Sequence, residues 1–149
     1  YQQIIEKAIF NEWKLFIFGD TSETLEKIEN KYSKLSIVGK RNGYVFDNEK
    51  LLFEINNSKP DILIVGLGTP KQEEWIVENK NKIIAKVIIA VGDGIKVFAG
   101  NKIRGPKIFQ KIGLEWFIRF LYEPKRLWKR YIVGIPLFIL RLLKYKLFK

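Results

Sequence analysis

The stretch that decides the fold of this chain is "DILIVGLGTPKQEEWI", residues 61–76. Its first half, with the apolar run 62–67, suits a strand buried on both faces, as in a parallel sheet. Its second half suits the start of a helix. Thr69 is a capping residue type, Pro70 fits the first helical position, and Gln72 follows Thr69 by three residues, which is the T-x-x-Q form of a capping box. Trp75 and Ile76 are then expected to pack inward. In one reading these residues do no more than begin a helix. In the other, Gly66 and Gly68 let a ligand approach the backbone, and the free N–H groups of the helix favour phosphate. The pattern is neither G-x-G-x-x-G nor a Walker loop, so local chemistry leaves both readings open.

Working outward, the same arrangement recurs. Further apolar runs lie at 14–18 (KLFIF), 35–38 (LSIV) and 86–91 (KVIIAV), and the four runs are followed by Gly19, Gly39, Gly68 and Gly92. Helical segments fill the gaps. "DTSETLEKIENKY" offers Asp20 as N-cap with Glu23 three residues later, and Leu25, Ile28 and Tyr32 on one face. "FDNEKLLFEINNS" offers Asp47 as N-cap and Leu51, Leu52 and Ile55 as its buried stripe. Strand and helix alternating at this spacing predict an α/β fold, a mainly parallel sheet with flanking helices and right-handed crossovers. Ligands of such sheets bind beyond the carboxyl ends of the strands, where the glycine turns fall.

Two more turns bear on chemistry. In "AVGDGIKVFAG", residues 90–100, Asp93 is suited to accept from a ribose hydroxyl or a base N–H, and Lys96 to meet a diphosphate or a sugar carboxylate. An Asp-Gly turn with a solvated lysine explains the same residues. "VGKRNGYVF", residues 38–46, reads on its own as a plain loop.

The chain has 149 residues, about one domain's worth, and with 47% hydrophobic and 14% aromatic residues it can bury a sizeable core. It holds neither cysteine nor histidine, which excludes a disulfide framework, thiol nucleophiles, and cysteine- or histidine-based triads and metal clusters. Acid or base chemistry falls to Asp, Glu, Lys or Tyr. The opening "YQQIIEKAIFNEWKLFIFG" reads as part of a helix running into a strand, a domain entered midway.

The net charge of +11 is unevenly placed. The first hundred residues balance, 14 basic against 14 acidic, whereas the last 49 carry 13 basic residues against Glu115 and Glu123. The tail therefore calls for a polyanionic partner. Arg119, Arg126, Lys129 and Arg130 fall close to one helical face if Pro124 opens a new helix, and Trp116, Phe117, Phe120, Trp128, Tyr131 and Phe138 are interleaved with them. Such a mixture suits a membrane headgroup layer. A packed helical subdomain or an oligomer interface ranks second, and nucleic acid last, because residues 132–143 are too apolar for a solvated nucleic-acid face. The least charged stretch, residues 131–143, is well short of the roughly 20 residues a bilayer span needs.

Together, "GYVF", "PDILIVGLGTPKQEEWI", "VGDGIKVFAGNKIRGP" and "GLEWFIRFLYEPKRLWKR" resemble the bacterial WecG/TagA/CpsF glycosyltransferases. That family transfers an N-acetylmannosamine-type or related sugar from a UDP donor to a polyprenyl-diphosphate-linked acceptor in cell-surface polysaccharide or teichoic acid synthesis. The resemblance implies a Rossmann-like nucleotide-sugar domain over residues 1–100. Over 101–149 it implies a basic helical appendage that closes on the active site and docks peripherally on the cytoplasmic face of the membrane. The candidate donor site then gathers Tyr44, Gly66, Gly68, Thr69, Pro70, Gln72, Glu73, Gly92, Asp93, Lys96 and Arg104, with Gln72 at the nucleotide. Arg119, Arg126 and Lys129 are implied to stabilise the charge on departing UDP, without a metal or other cofactor. Two departures stand out. The family's catalytic-base Asp belongs to a half that precedes these motifs, and Lys96 stands where the family usually has Asp. A homo-oligomer is compatible with this reading, and the alternative is a non-catalytic, membrane-associated nucleotide-binding module.

Overall fold

The computed structural model describes residues 2–101, 115–122 and 124–147. The chain forms two compact units, Tyr1–Ile103 and Arg104–Lys149. The first contains α1 (Gln2–Phe10), β1 (Lys14–Gly19), α2 (Ser22–Lys31), β2 (Ser36–Arg41), α3 (Asn48–Ser58), β3 (Ile62–Gly66), α4 (Lys71–Asn79), β4 (Val87–Ala90) and α5 (Gly94–Ala99). The four strands form one parallel sheet in the order β2-β1-β3-β4. This is an α/β, Rossmann-like architecture, as the alternation of apolar runs and helices predicted.

The central strands show why. Successive side chains of a strand point to opposite faces, so a strand covered on both sides must be apolar at every position. In β1, Leu15 and Ile17 enter one core with Ile62 and Ile64 of β3, and with Leu25 and Ile28 of α2. Phe16 and Phe18 enter the other with Leu63 and Val65, beneath Leu51, Leu52 and Ile55 of α3 and Trp75 of α4. Helices α1, α2 and α5 thus cover one face, and α3 and α4 the other.

The outer strands differ from expectation. β2 and β4 are only partly buried, and Val87 is 49% exposed. They are the edges of the described sheet, so their apolar runs are not enclosed as those of β1 and β3 are. β2 also runs on to Arg41, past the glycine expected to end it, because Gly39, Lys40 and Arg41 continue to pair with Phe16, Ile17 and Phe18.

Capping was partly as expected. Asp47 accepts from the Lys50 N–H at 3.0 Å and caps α3. The cap of α2 is Thr21, whose Oγ1 accepts from Thr24 N, and not Asp20. Asp20 has φ 50°, in the left-handed region, and its carboxylate turns elsewhere.

In the second unit, helices span Glu115–Tyr122 and Pro124–Trp128, a π-helical segment spans Lys129–Gly134, and a last helix spans Ile135–Leu147. Pro124 does open a helix. However, Arg119 and Arg126 lie in different helices, and Lys129 and Arg130 fall in the π segment, whose i→i+5 repeat breaks the α-helical spacing. The side chains of Arg119, Arg126 and Arg130, on which the expected basic face rests, lie outside the described residues. The Ile135–Leu147 helix exposes apolar residues around its circumference, among them Leu137, Phe138, Ile139, Leu140 and Leu143. No helix among the described residues is long and apolar enough to cross a membrane.

Candidate donor-binding cleft

Strand order reverses between β1 and β3: the chain leaves β1 for β2 on one side, then returns across to β3 on the other. At such a switch point the loops diverge and open a crevice at the strands' carboxyl ends. A cleft of about 370 Å³ lies there. Its lining includes Asp20 after β1, Gly43, Tyr44 and Phe46 after β2, Gly66–Gly68 after β3, and Gly92, Asp93 and Lys96 after β4.

The floor is made of backbone. Gly19 and Gly66 are register partners in adjacent strands, and a Cβ on Gly19 would sit 2.5 Å from the Gly66 carbonyl oxygen. Gly43 donates to the Asp20 carbonyl at 2.9 Å, and its own Cβ would meet Gly19 Cα at 2.7 Å. Three loops meet here closely enough that side chains are excluded.

The start of α4 does not match the sequence reading. The helix begins at Lys71, Pro70 occupies the N-cap with no side-chain capping bond, and the Thr69–Pro70 peptide is cis. The N–H groups of Gln72 and Glu73 are already bonded, to the Gly68 and Pro70 carbonyls at 3.0 Å each. The expected cradle of free N–H groups therefore lacks two of its members. Acidic Glu73 and Glu74 complement the positive end of the helix instead.

Gln72 acts sideways rather than as part of a capping box. It is 5% exposed, and its Oε1 accepts from the Gly92 N–H at 2.8 Å while its Nε2 donates to Glu73 Oε1 at 2.8 Å. Thr69 Oγ1 donates to the same carboxylate at 3.2 Å. The Gln72 amide, beside Glu73, holds that carboxyl below its ordinary range, with Thr69 adding to the effect. Gln72 is thus a buried strut that ties α4 to the β4–α5 turn.

A second strut lies behind the cleft. Trp75 Nε1 donates to Asn48 Oδ1 at 2.8 Å, Asn48 donates to Asn79 Oδ1 at 3.1 Å, and Asn79 donates back to the Trp75 carbonyl at 2.8 Å. The Trp75 ring packs on Phe18 at 4.9 Å, and Phe46 meets Phe18 edge-on at 4.8 Å. The GYVF loop therefore inserts Phe46 into the core and leaves Tyr44 70% exposed at the cleft.

Of the residues expected at the site, Tyr44, Gly66, Gly68, Gly92, Asp93 and Lys96 come together around the cleft. Thr69, Pro70, Gln72 and Glu73 form its support and do not line it. Arg104 lies outside the described residues. Arg119, Arg126 and Lys129 belong to the second unit. The side chains of Arg119 and Arg126 are outside the description, and Lys129 is exposed with its Nζ 5.9 Å from the Trp128 ring centre. Sequence reasoning passed over Asp20, Lys71, Glu74 and Glu78, which also line the cleft. A signal for Asp20 was present: it follows Gly19 as Leu67 follows Gly66, so it leaves the strand at the same level of the sheet.

The chain matches the model of the Glycosyl transferase WecG/TagA/CpsF family over residues 1–149. It belongs to that family. An N-acetylglucosaminyldiphosphoundecaprenol N-acetyl-beta-D-mannosaminyltransferase of Staphylococcus aureus (strain MRSA252) is 36% identical over 97% of this chain and 58% of its own length. The protein of the same name from strain NCTC 8325 / PS 47 is 35% identical over the same shares. The chain thus spans little more than half the length of the curated relatives it matches.

Proposed function

We propose that this chain carries the donor-binding part of a glycosyltransferase that moves an N-acetylmannosamine-type sugar from UDP to a polyprenyl-diphosphate-linked acceptor. The observation that carries the reading is the glycine-floored cleft at the β1/β3 switch point in a member of this family. The relatives' names supply the sugar and the acceptor class; the UDP donor is our reading, supported by the cleft's place beyond the carboxyl ends of the strands, where ligands of such sheets bind. This chain's part in the reaction is donor binding and stabilisation of the leaving group, and no proton transfer is assigned to its residues.

The cleft lining carries Lys71 and Lys96 against Asp20, Glu74, Glu78 and Asp93. A diphosphate therefore needs cations beyond those of the lining, and we assign that role to Arg119, Arg126 and Lys129, in place of a metal ion. For the Ile135–Leu147 helix, exposed apolar side chains together with Arg141, Lys144 and Lys146 favour an anionic membrane surface on the cytoplasmic side.

Calorimetric titration of the full chain with UDP tests the donor assignment. Saturable binding that persists in EDTA is expected. Absence of any saturable heat refutes the assignment, and binding abolished by EDTA refutes the metal-free part of it.

A further inference from the structure

Asp20 is held in an unusual way for a carboxylate beside an open cleft. Its side chain is 5% exposed, its φ is 50°, and its carbonyl accepts from the Gly43 N–H at 2.9 Å. A left-handed backbone is uncommon for a residue with a Cβ, and here the Gly43 bond and the Gly19–Gly66 contact fix it. One carboxylate oxygen, Oδ1, accepts from the Thr21 N–H at 2.8 Å. The other, Oδ2, is buried and has no hydrogen bond among the described residues. The Lys96 ammonium, which also lines the cleft, is its ion-pair partner among the described residues, at 3.9 Å. That separation supplies charge compensation but exceeds the roughly 2.7–2.9 Å of a charge-assisted hydrogen bond.

Buried acceptors are normally satisfied, because leaving one unmade forfeits its hydration without return. An acceptor that is rigid, charge-compensated and short of one donor is suited to a neutral O–H. A phosphate or carboxylate at the same point would meet like charge. We propose that Asp20 determines donor specificity, with Oδ2 accepting a hydrogen bond from a sugar-ring hydroxyl of the nucleotide sugar. The hydroxyl belongs to the ribose or to the transferred hexose. The inference rests on the donor-binding reading above. A site built around such a bond rejects analogues that lack the hydroxyl far more strongly than an apolar pocket rejects a changed methylene.

The test is calorimetric titration of the full chain with UDP, 2′-deoxy-UDP and UDP-N-acetylglucosamine, for wild type, Asp20→Asn and Asp20→Gly. Asparagine preserves shape, and glycine suits the left-handed backbone, so one variant remains informative if the other melts early. If the ribose is the partner, both variants bind UDP at least about tenfold more weakly, and wild type loses a similar factor with 2′-deoxy-UDP. If the hexose is the partner, UDP binding is retained and the added affinity for UDP-N-acetylglucosamine is lost in both variants. Variants that bind all three ligands as wild type does overturn the proposal while leaving the donor assignment intact. A wild type that binds none of them removes the donor assignment itself, and this proposal with it.

Discussion

Replacing Gln72 separates a structural strut from a ligand contact. In Gln72→Ala the Gly92 N–H loses its acceptor and Glu73 loses its closest donor. An unsatisfied buried amide costs about 1–3 kcal/mol. Gly92 is only half-buried, so the lower half of that range applies. The lost Cγ methylene adds about 0.8 kcal/mol where fully buried. The sum is about 2 kcal/mol, which for a unit of this size lowers the melting temperature by about 10 °C. Gln72→Met restores the volume without the acceptor, and should recover the packing part only, leaving a deficit of about 1 kcal/mol. Thermal melts followed by far-ultraviolet circular dichroism, on the full chain without ligand, measure both. If both variants melt within about 2 °C of wild type, Gln72 is not a strut, and a direct ligand role would have to be revived.

Acidity provides an independent check on the same residue. Because Glu73's carboxyl is held below its ordinary range in the fold, the stabilisation it contributes is present above its unfolded pKa and is lost as pH falls through the folded value. The melting gap between wild type and Gln72→Met should therefore narrow below about pH 4.5, the ordinary carboxyl value; a gap that widens contradicts the assignment. Gly19→Ala should cost about 3 kcal/mol or more, since its φ of 143° disfavours a side chain and the new Cβ would collide with the Gly66 carbonyl. Denaturant titration reads that loss directly. Trp75→Phe keeps the packing on Phe18 but strands Asn48 Oδ1, for an expected loss of about 1–2 kcal/mol in the same assay. The full chain should float with anionic liposomes and the chain truncated after residue 113 should not, whereas equal flotation removes the membrane assignment.

The sequence conveyed most where one physical requirement acts alone. β1 and β3 are apolar at consecutive positions because both faces are covered, so their place in the sheet could be read directly. Asp47, Leu51, Leu52 and Ile55 were equally legible, since a cap and a 3.6-residue stripe depend on neighbours along the chain. Reading failed where two turns compete for the same group. Gln72 has the spacing of a capping-box partner, yet the Gly92 amide, 20 residues on, takes its carbonyl. Asp20 has the residue type of a cap, yet its left-handed backbone hands the cap to Thr21 and sends the carboxylate to the cleft. Lys96 was visible as a cation in a glycine turn, but its opposite number lies 76 positions earlier, and local pattern carries no information about such a pairing.

The contact of Gly19 with Gly66 has a consequence for how this cleft can change. A floor built from touching backbones has no side chains to exchange, so its shape is inherited with the sheet and is closed to gradual variation. Diversity in what the cleft accepts must then be written on its walls, at positions such as Tyr44, Lys71 and Lys96, which are exposed or only partly buried. Ligand preference and foldability are thereby assigned largely to separate residues, and a library randomised at those three wall positions should retain the sheet while sampling new donors.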